Sequence, residues 1–193
     1  MMEAAVHPET VSALVLVAPA QPAPVGTRID REVLLAFAIY SIPWVGEWYL
    51  RRRAARLGPE GLVREVFRLL CVDPSRVPDD VRRAHVALAA ERLTTMPGTD
   101  RAFLEAARSL VSILRRRGSY DEMVGRIAAP TLLIQGAQDR LVPLDASRAL
   151  ARRRPDWAFE VFDGIGHVPQ LEAPARFVDS VTGWLEGAQR VGR

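Results

Sequence analysis

Three short, continuous apolar runs stand apart from a long middle section whose apolar positions recur at helical spacing. Ala13-Leu-Val-Leu-Val-Ala18, Thr131-Leu-Leu-Ile-Gln135 and Trp157-Ala-Phe-Glu-Val-Phe162 are bounded by turn formers. Their length and content predict buried strands near residues 12–18, 131–135 and 157–162, of the kind that build a parallel sheet covered on both faces. Between the first two runs the period changes to that of a helix. Asp30 can cap a helix carrying Val33, Leu34, Phe37 and Ala38. Leu62, Val63, Val66, Phe67, Leu69 and Leu70 form a second stripe, closed by Asp73-Pro74. Val81, His85, Leu88 and Ala89 form a third, ending before Pro97-Gly98. Phe103, Leu104, Ala107, Leu110, Val111 and Leu114 form a fourth, ending at Gly118. The head, Met1 to Val6, suits a short helix broken at His7, where the following Pro8 disfavours helical geometry. At the tail, Phe177, Val178, Val181, Trp184 and Leu185 predict one apolar face of a last helix over 171–186, with Pro174 in its first turn and Gly187 to Arg193 frayed.

A separation of nearly a hundred residues between two strands of one sheet is too long for a loop. The proline- and alanine-rich stretch from Pro19 to Pro24 reads as a linker leaving the sheet. The expected organisation is an α/β sheet part over residues 1–23 and 124–193, with a helical insertion over 24–123.

Composition narrows the class. Of 193 residues, 49% are apolar and 25% charged, which is the balance of a folded globular chain. All 26 basic residues are arginine, set against 23 acidic ones. The runs Arg51 to Arg53, Arg115 to Arg117 and Arg152 to Arg154 fall on or at the ends of predicted helices, where they complement the helix dipole, so no nucleic-acid partner is expected. Neither a G-x-G-x-x-G fingerprint nor a Walker A sequence occurs, which removes the nucleotide-binding motifs. The single cysteine, Cys71, precludes an internal disulfide and fits a reducing, cytoplasmic setting. Three scattered histidines give no metal site, and no cofactor is expected. Ala13 to Ala20 looks like a leader core, but the segment before it carries Glu3 and Glu9 and no Arg. No apolar run approaches the roughly 18 residues of a membrane span.

Candidate chemistry lies just past the second and third strands. In Gly136-Ala-Gln-Asp139-Arg-Leu-Val-Pro143, a carboxylate follows a buried strand by three residues. In Gly164-Ile-Gly-His167-Val-Pro169, tight turns expose one imidazole. The carboxyl ends of neighbouring parallel strands are where open α/β sheets hold their ligands. An Asp and a His there can hydrogen-bond, the Asp orienting the ring while the His moves a proton. Asp145 reads instead as a helix N-cap, and Asp163 sits at a strand end. His85 reads as a helix packing or surface residue, and His7 as part of a turn.

This pair resembles the C-terminal part of an α/β-hydrolase. In that family the acid follows the seventh strand in a G-x-x-D-x-x-V-P pattern, matched by Gly136, Asp139, Val142 and Pro143. The base follows the eighth strand in a G-H pattern, matched by Gly166 and His167. His7, Pro8 and Glu9 match a turn before strand six. The resemblance implies a partial α/β-hydrolase fold of strands six to eight, with a helical cap roofing the active site. It implies a hydrolase of an ester or a similar small hydrophobic substrate, with Asp139 holding His167 as general base. The family's order places a nucleophile before the acid and base, on a G-x-S-x-G elbow. No such elbow occurs in the 193 residues. By the resemblance it belongs roughly half a dozen residues before Met1. The expectation is therefore a fragment carrying acid and base but no nucleophile, which could be Ser or Asp. Ser41, Ser109, Ser112 and Cys71 fall in the insertion without an elbow and are not candidates. Two other readings stay open: a non-catalytic module that binds a small ligand, and a fragment that forms homodimers through an exposed strand edge. Phe37, Tyr40, Trp44, Trp48 and Tyr49 either line a substrate pocket or pack the cap's own core.

Overall fold

A computed structural model of the chain describes residues 1–96 and 98–191. Its sheet has three parallel strands in the order β1 (Leu14–Val17), β2 (Thr131–Gly136) and β3 (Ala158–Phe162). These are the three apolar runs, in β1 and β3 trimmed at one or both ends. The central strand is buried along its whole length, as a strand flanked on both sides and both faces must be.

Helices surround the sheet in chain order: α1 (Met2–Val6), α2 (Arg31–Ser41), α3 (Val45–Leu70), α4 (Asp79–Thr95), α5 (Thr99–Arg115), α6 (Arg117–Gly125), α7 (Leu144–Arg153), α8 (Pro169–Glu172) and α9 (Pro174–Val191). Side chains alternate across a strand, and the packing follows that alternation. Leu16 and Leu133 cluster with Ala4 and Ala5 of α1, Tyr120 and Val124 of α6, Leu150 of α7, and Trp157. Leu132, Ile134 and Phe162 point the other way, where Phe177, Val181 and Trp184 of α9 cover them. Val178 is exposed and leaves the apolar face expected to include it.

Between β1 and β2 the chain is helical. Asp30 caps α2, accepting the amides of Glu32 at 2.8 Å and Val33 at 3.4 Å. The long α3 is kinked at Gly58 (φ 61°, ψ 179°), just before Pro59. Proline lacks the N–H that would continue the ladder, and the residue before it is driven out of helical geometry. Val63 and Phe67 on the far side of the kink pack with Val77 and Cys71, against Val81 and Ala89 of α4.

Several boundaries differ from expectation. Gly118 does not end a helix: α5 stops at Arg115 and α6 runs through Gly118, because Tyr120 and Val124 bury against the sheet. Asp145 is not an N-cap. Pro143 occupies that position, and Asp145 sits in the first turn of α7, 3.5 Å from Arg148. The tail is two helices rather than one. Ala173, the residue before Pro174, is pushed to φ −143°, which separates α8 from α9. The second of these helices runs to Val191, past the expected fraying point at Gly187. Pro97, expected to mark the end of the third helix, and Gly192 and Arg193 lie outside the described residues. Among the described residues no single helix is long and apolar enough to cross a membrane; α2 and α3 together reach that length and composition but meet at a 120° bend.

Candidate active site

Strands β2 and β3 end side by side, so the loops that follow them emerge together. That approach is close. A side chain on Gly136 would place its Cβ 1.8 Å from the Gly166 carbonyl oxygen and 2.6 Å from that of Ile165. Only glycine lets the His loop lie on the end of β2. The two loops are then stitched by Ala137 N–H to Phe162 O and Gln138 N–H to Ile165 O, both at 3.0 Å.

This geometry brings the two predicted site residues together. His167 Nδ1 lies 2.8 Å from Asp139 Oδ2. The Asp139 side chain has no exposed surface, whereas 21% of the His167 side chain is accessible. The other Asp139 oxygen, Oδ1, accepts the backbone amides of Leu141 at 2.7 Å and Val142 at 2.9 Å. Those amides fix the carboxylate in place and satisfy a buried charge that would otherwise be costly. With the carboxylate ionised, the Nδ1 proton donates to Asp139 and the lone pair sits on Nε2. An imidazole so held can accept a proton at Nε2 while the carboxylate stabilises the resulting cation.

Neither rival carboxylate joins the pair: Asp145 faces Arg148, and Asp163 is exposed on the turn after β3. His85 contacts the Val81 carbonyl and stacks edge-on to Phe67, while His7 meets Glu9. Ser41 donates to the Phe37 carbonyl at the end of α2, and Ser109 and Ser112 lie within α5. The Cys71 thiol is pushed up to about 12 by burial and by the nearby Glu172 carboxylate, so it is not a ready thiolate. Among the described residues there is no group of three or more His, Cys, Asp or Glu that could hold a metal.

Two features escaped the sequence reading. The first is Glu172 of α8, whose buried carboxylate accepts three backbone amides from two separate segments. Oε1 takes those of Val72 at 2.9 Å and Asp73 at 3.0 Å, and Oε2 takes that of Gly166 at 2.6 Å. With His167 N–H donating to the Leu70 carbonyl at 2.6 Å, this clamps the His loop to the end of α3. The second is a buried polar chain behind Asp139. Gln135 Nε2 donates to Asp139 Oδ2 at 2.8 Å, Ser147 donates to Gln135 Oε1 at 2.6 Å, and Gln21 Nε2 donates to Ser147 at 2.6 Å. Gln135 at the end of the strand is the one trace of this chain visible in the sequence, and it names neither a face nor a partner.

His167 forms part of the wall of a cavity of about 520 Å³. The segment between β1 and α2, α2, α5, Arg117 of α6 and the Leu141–Pro143 segment form the rest, with Val33, Phe37, Leu110 and Leu114 among the apolar lining. The aromatic residues of the insertion divide three ways. Phe37 lines the cavity, Tyr40 packs against Tyr49 and Phe103, and Trp44 and Trp48 are exposed, Trp44 at 83%.

A hydrogen-bonded Asp and His at the ends of two neighbouring parallel strands point to a class, and the comparison with protein families supplies it. Residues 2–174 match the model of the alpha/beta hydrolase fold, so the chain belongs to that family. Among curated proteins it is similar to a 2-hydroxy-6-oxononadienedioate/2-hydroxy-6-oxononatrienedioate hydrolase of Cupriavidus pinatubonensis, 28% identical over 123 residues, which are 64% of this chain and 40% of that one. Among solved structures, a meta-cleavage product hydrolase from Pseudomonas fluorescens superimposes with a TM-score of 0.60 at 23% identity, covering 96% of this chain and 59% of the other. An esterase from Thermogutta terrifontis does so with a TM-score of 0.52 at 22% identity, over 92% and 56%. The chain thus spans well under two thirds of the length of the relatives it matches.

Proposed function

We propose that Asp139 and His167 are the acid and base of a hydrolase acting on an ester or a similar small hydrophobic substrate. The observation that carries this reading is the 2.8 Å bond between His167 Nδ1 and a fully buried Asp139 carboxylate, in the wall of an apolar cavity. In the proposed reaction His167 Nε2 takes the proton of a nucleophile as that group attacks the substrate carbonyl. It gives that proton to the leaving group as the acyl bond breaks, then takes one from the water that hydrolyses the acyl intermediate and returns it to the nucleophile. Asp139 keeps the ring in the Nδ1–H tautomer and stabilises the imidazolium. No step written this way needs a cofactor. The helices over residues 24–123 act as a cap that sets the shape of the pocket, and residues 1–23 and 124–193 form the sheet part beneath it.

The nucleophile in this reading lies outside the 193 residues, because no G-x-S-x-G elbow occurs within them. Hydrolysis of p-nitrophenyl butyrate tests both parts. The 193 residues alone are expected to match a His167→Ala control, and His167-dependent turnover by them would overturn the external nucleophile. In a longer chain that carries an elbow, His167→Ala and Asp139→Asn are each expected to lower kcat by at least about 10³-fold. Full activity in either variant would overturn the acid–base assignment.

A second reading, a binding module without turnover, draws support from the cavity being formed within these residues alone. A thermal-shift series with apolar esters and acids is the measurement that favours or removes it.

A further inference from the structure

The strongest unexplained feature is the buried chain Gln21–Ser147–Gln135–Asp139. Each member is at most 9% exposed, and each comes from a different segment: the linker, α7, the end of β2 and the acid loop. Its hydrogen bonds run in one direction only. Gln135 Nε2 faces Asp139 Oδ2, the Val142 carbonyl at 3.1 Å and the Gly136 carbonyl at 3.3 Å. All three are acceptors, so the amide cannot be turned around without setting oxygen against oxygen. Gln135 Oε1 must then accept, and the single Ser147 proton is committed to it at 2.6 Å. Ser147 can therefore only accept from Gln21, which fixes Gln21 Nε2 on the hydroxyl and leaves Gln21 Oε1 buried without a partner.

The consequence falls on one atom. Asp139 Oδ2 accepts from both Gln135 Nε2 and His167 Nδ1, each at 2.8 Å. Two donors on one oxygen, with two backbone amides on the other, leave the carboxylate no freedom to rotate. We propose that Gln135 and Ser147 are positioning residues that act through Asp139, holding its Oδ2 where it keeps His167 in the Nδ1–H tautomer. This rests on the reading of Asp139 and His167 as acid and base. Ser147 acts one step further back, by preventing Gln135 from flipping and presenting its oxygen to the carboxylate. Gln21, at the cavity wall, is the outermost member and has the weakest hold on the pair.

The test reads the tautomer directly and needs no turnover. In the wild-type chain, the ¹⁵N shifts of the His167 ring and its downfield Nδ1–H proton resonance report the bond to Asp139. Gln135→Met, close in volume but without a donor, is expected to lose the downfield resonance and to mix the two tautomers. Ser147→Ala is expected to do the same in part, and Gln21→Met least of all. Leu150→Ala is the control: it loosens the same helix, α7, from a buried position without touching a polar atom. Each variant is first confirmed folded by circular dichroism.

A folded Gln135→Met chain with an unchanged resonance would overturn the proposal. So would a Leu150→Ala chain in which the resonance moves as far as in Ser147→Ala, since the chain would then be ordinary packing. If Gln135→Met does not fold, Ser147→Ala against Leu150→Ala decides alone. Full esterase activity of His167→Ala in a longer chain that carries an elbow would remove the acid–base reading, while a resonance lost in Gln135→Met but kept in Leu150→Ala would still show that Gln135 positions Asp139.

Discussion

At the scale of single residues, the site depends on two glycines and a carboxylate as much as on Asp139 and His167. Gly136 has no room for a methyl group, because the atoms it would meet are backbone oxygens that cannot rotate away. Gly136→Ala is expected to cost about 3 kcal/mol or more in a urea melt, the upper end of overpacking penalties. It should also displace the His loop. Gly166 is confined in the same way, its Cβ position lying 2.3 Å from the Leu70 carbonyl oxygen. Glu172→Gln keeps the shape but turns a donor toward at least one of the three amides that the carboxylate accepts. A loss of about 1–3 kcal/mol is expected by the same measurement; a variant as stable as wild type would show the clamp to be dispensable. Asp139 and His167 were readable because each follows an apolar run and sits among turn-forming residues. Gln135 was not, since a polar residue closing a buried run gives no sign of the face it occupies or the partner it meets. Glu172 was not, since a glutamate between Leu171 and Ala173 looks solvated until the end of α3 is brought over it.

At the scale of elements, α2 is held over the acid loop by charge. Arg140, the residue after Asp139, bonds Asp30 at 2.8 Å and Glu32 at 3.0 Å, and Glu32 also meets Arg68 of α3. The Arg140 guanidinium beside Asp30 holds its carboxyl below the usual range, against the opposing effect of burial and with help from the amides it caps. Arg68 does the same for Glu32, with Arg140 adding to it. A carboxyl whose folded pKa is depressed contributes stability that is present above its unfolded value and is lost as pH falls through the folded one. Stability should therefore fall on acidification from about pH 5 to about pH 3, spanning the ordinary carboxylate values. Asp30→Asn retains a good N-cap but removes the charge. Its urea midpoints over that interval are expected to decline less steeply than those of wild type; parallel curves would mean that the Asp30–Arg140 pair contributes nothing to the folded state. The elements themselves were largely readable, because three apolar runs and four helical stripes are periodic signals. The breaks were not. The chain leaves helical geometry at Arg116 and re-enters it within one residue because Tyr120 and Val124 gain a sheet to cover, and that sheet is distant in sequence.

At the scale of the whole molecule, the sheet has two edges of different character. Along β3 the outer edge is partly covered: Arg176 of α9 reaches the outward Val161 carbonyl at 3.1 Å. Along β1 the register settles which groups face outward. Leu14 N–H donates to Pro130 O, and Ala18 N–H to Ile134 O, so the even-numbered amides of this strand face β2. The amides of Val15 and Val17 point the other way, from a strand rich in valine and leucine. Unpaired edges of that composition recruit another strand. Either a second copy or, in the proposed hydrolase, the strand leading to its nucleophile would occupy this one, and the oligomeric state of the wild-type chain separates the two. Val15→Pro removes an outward N–H without removing any bond to β2, at an edge position where proline is tolerated. If copies pair through β1, sedimentation velocity of the wild-type chain resolves a dimer that grows with concentration, and the Val15→Pro chain stays monomeric with its circular dichroism unchanged. A wild-type chain that remains monomeric throughout removes self-pairing. The same proline placed in a longer, active chain would then be expected to lower hydrolysis, because the strand carrying the nucleophile would lose the edge against which it is aligned.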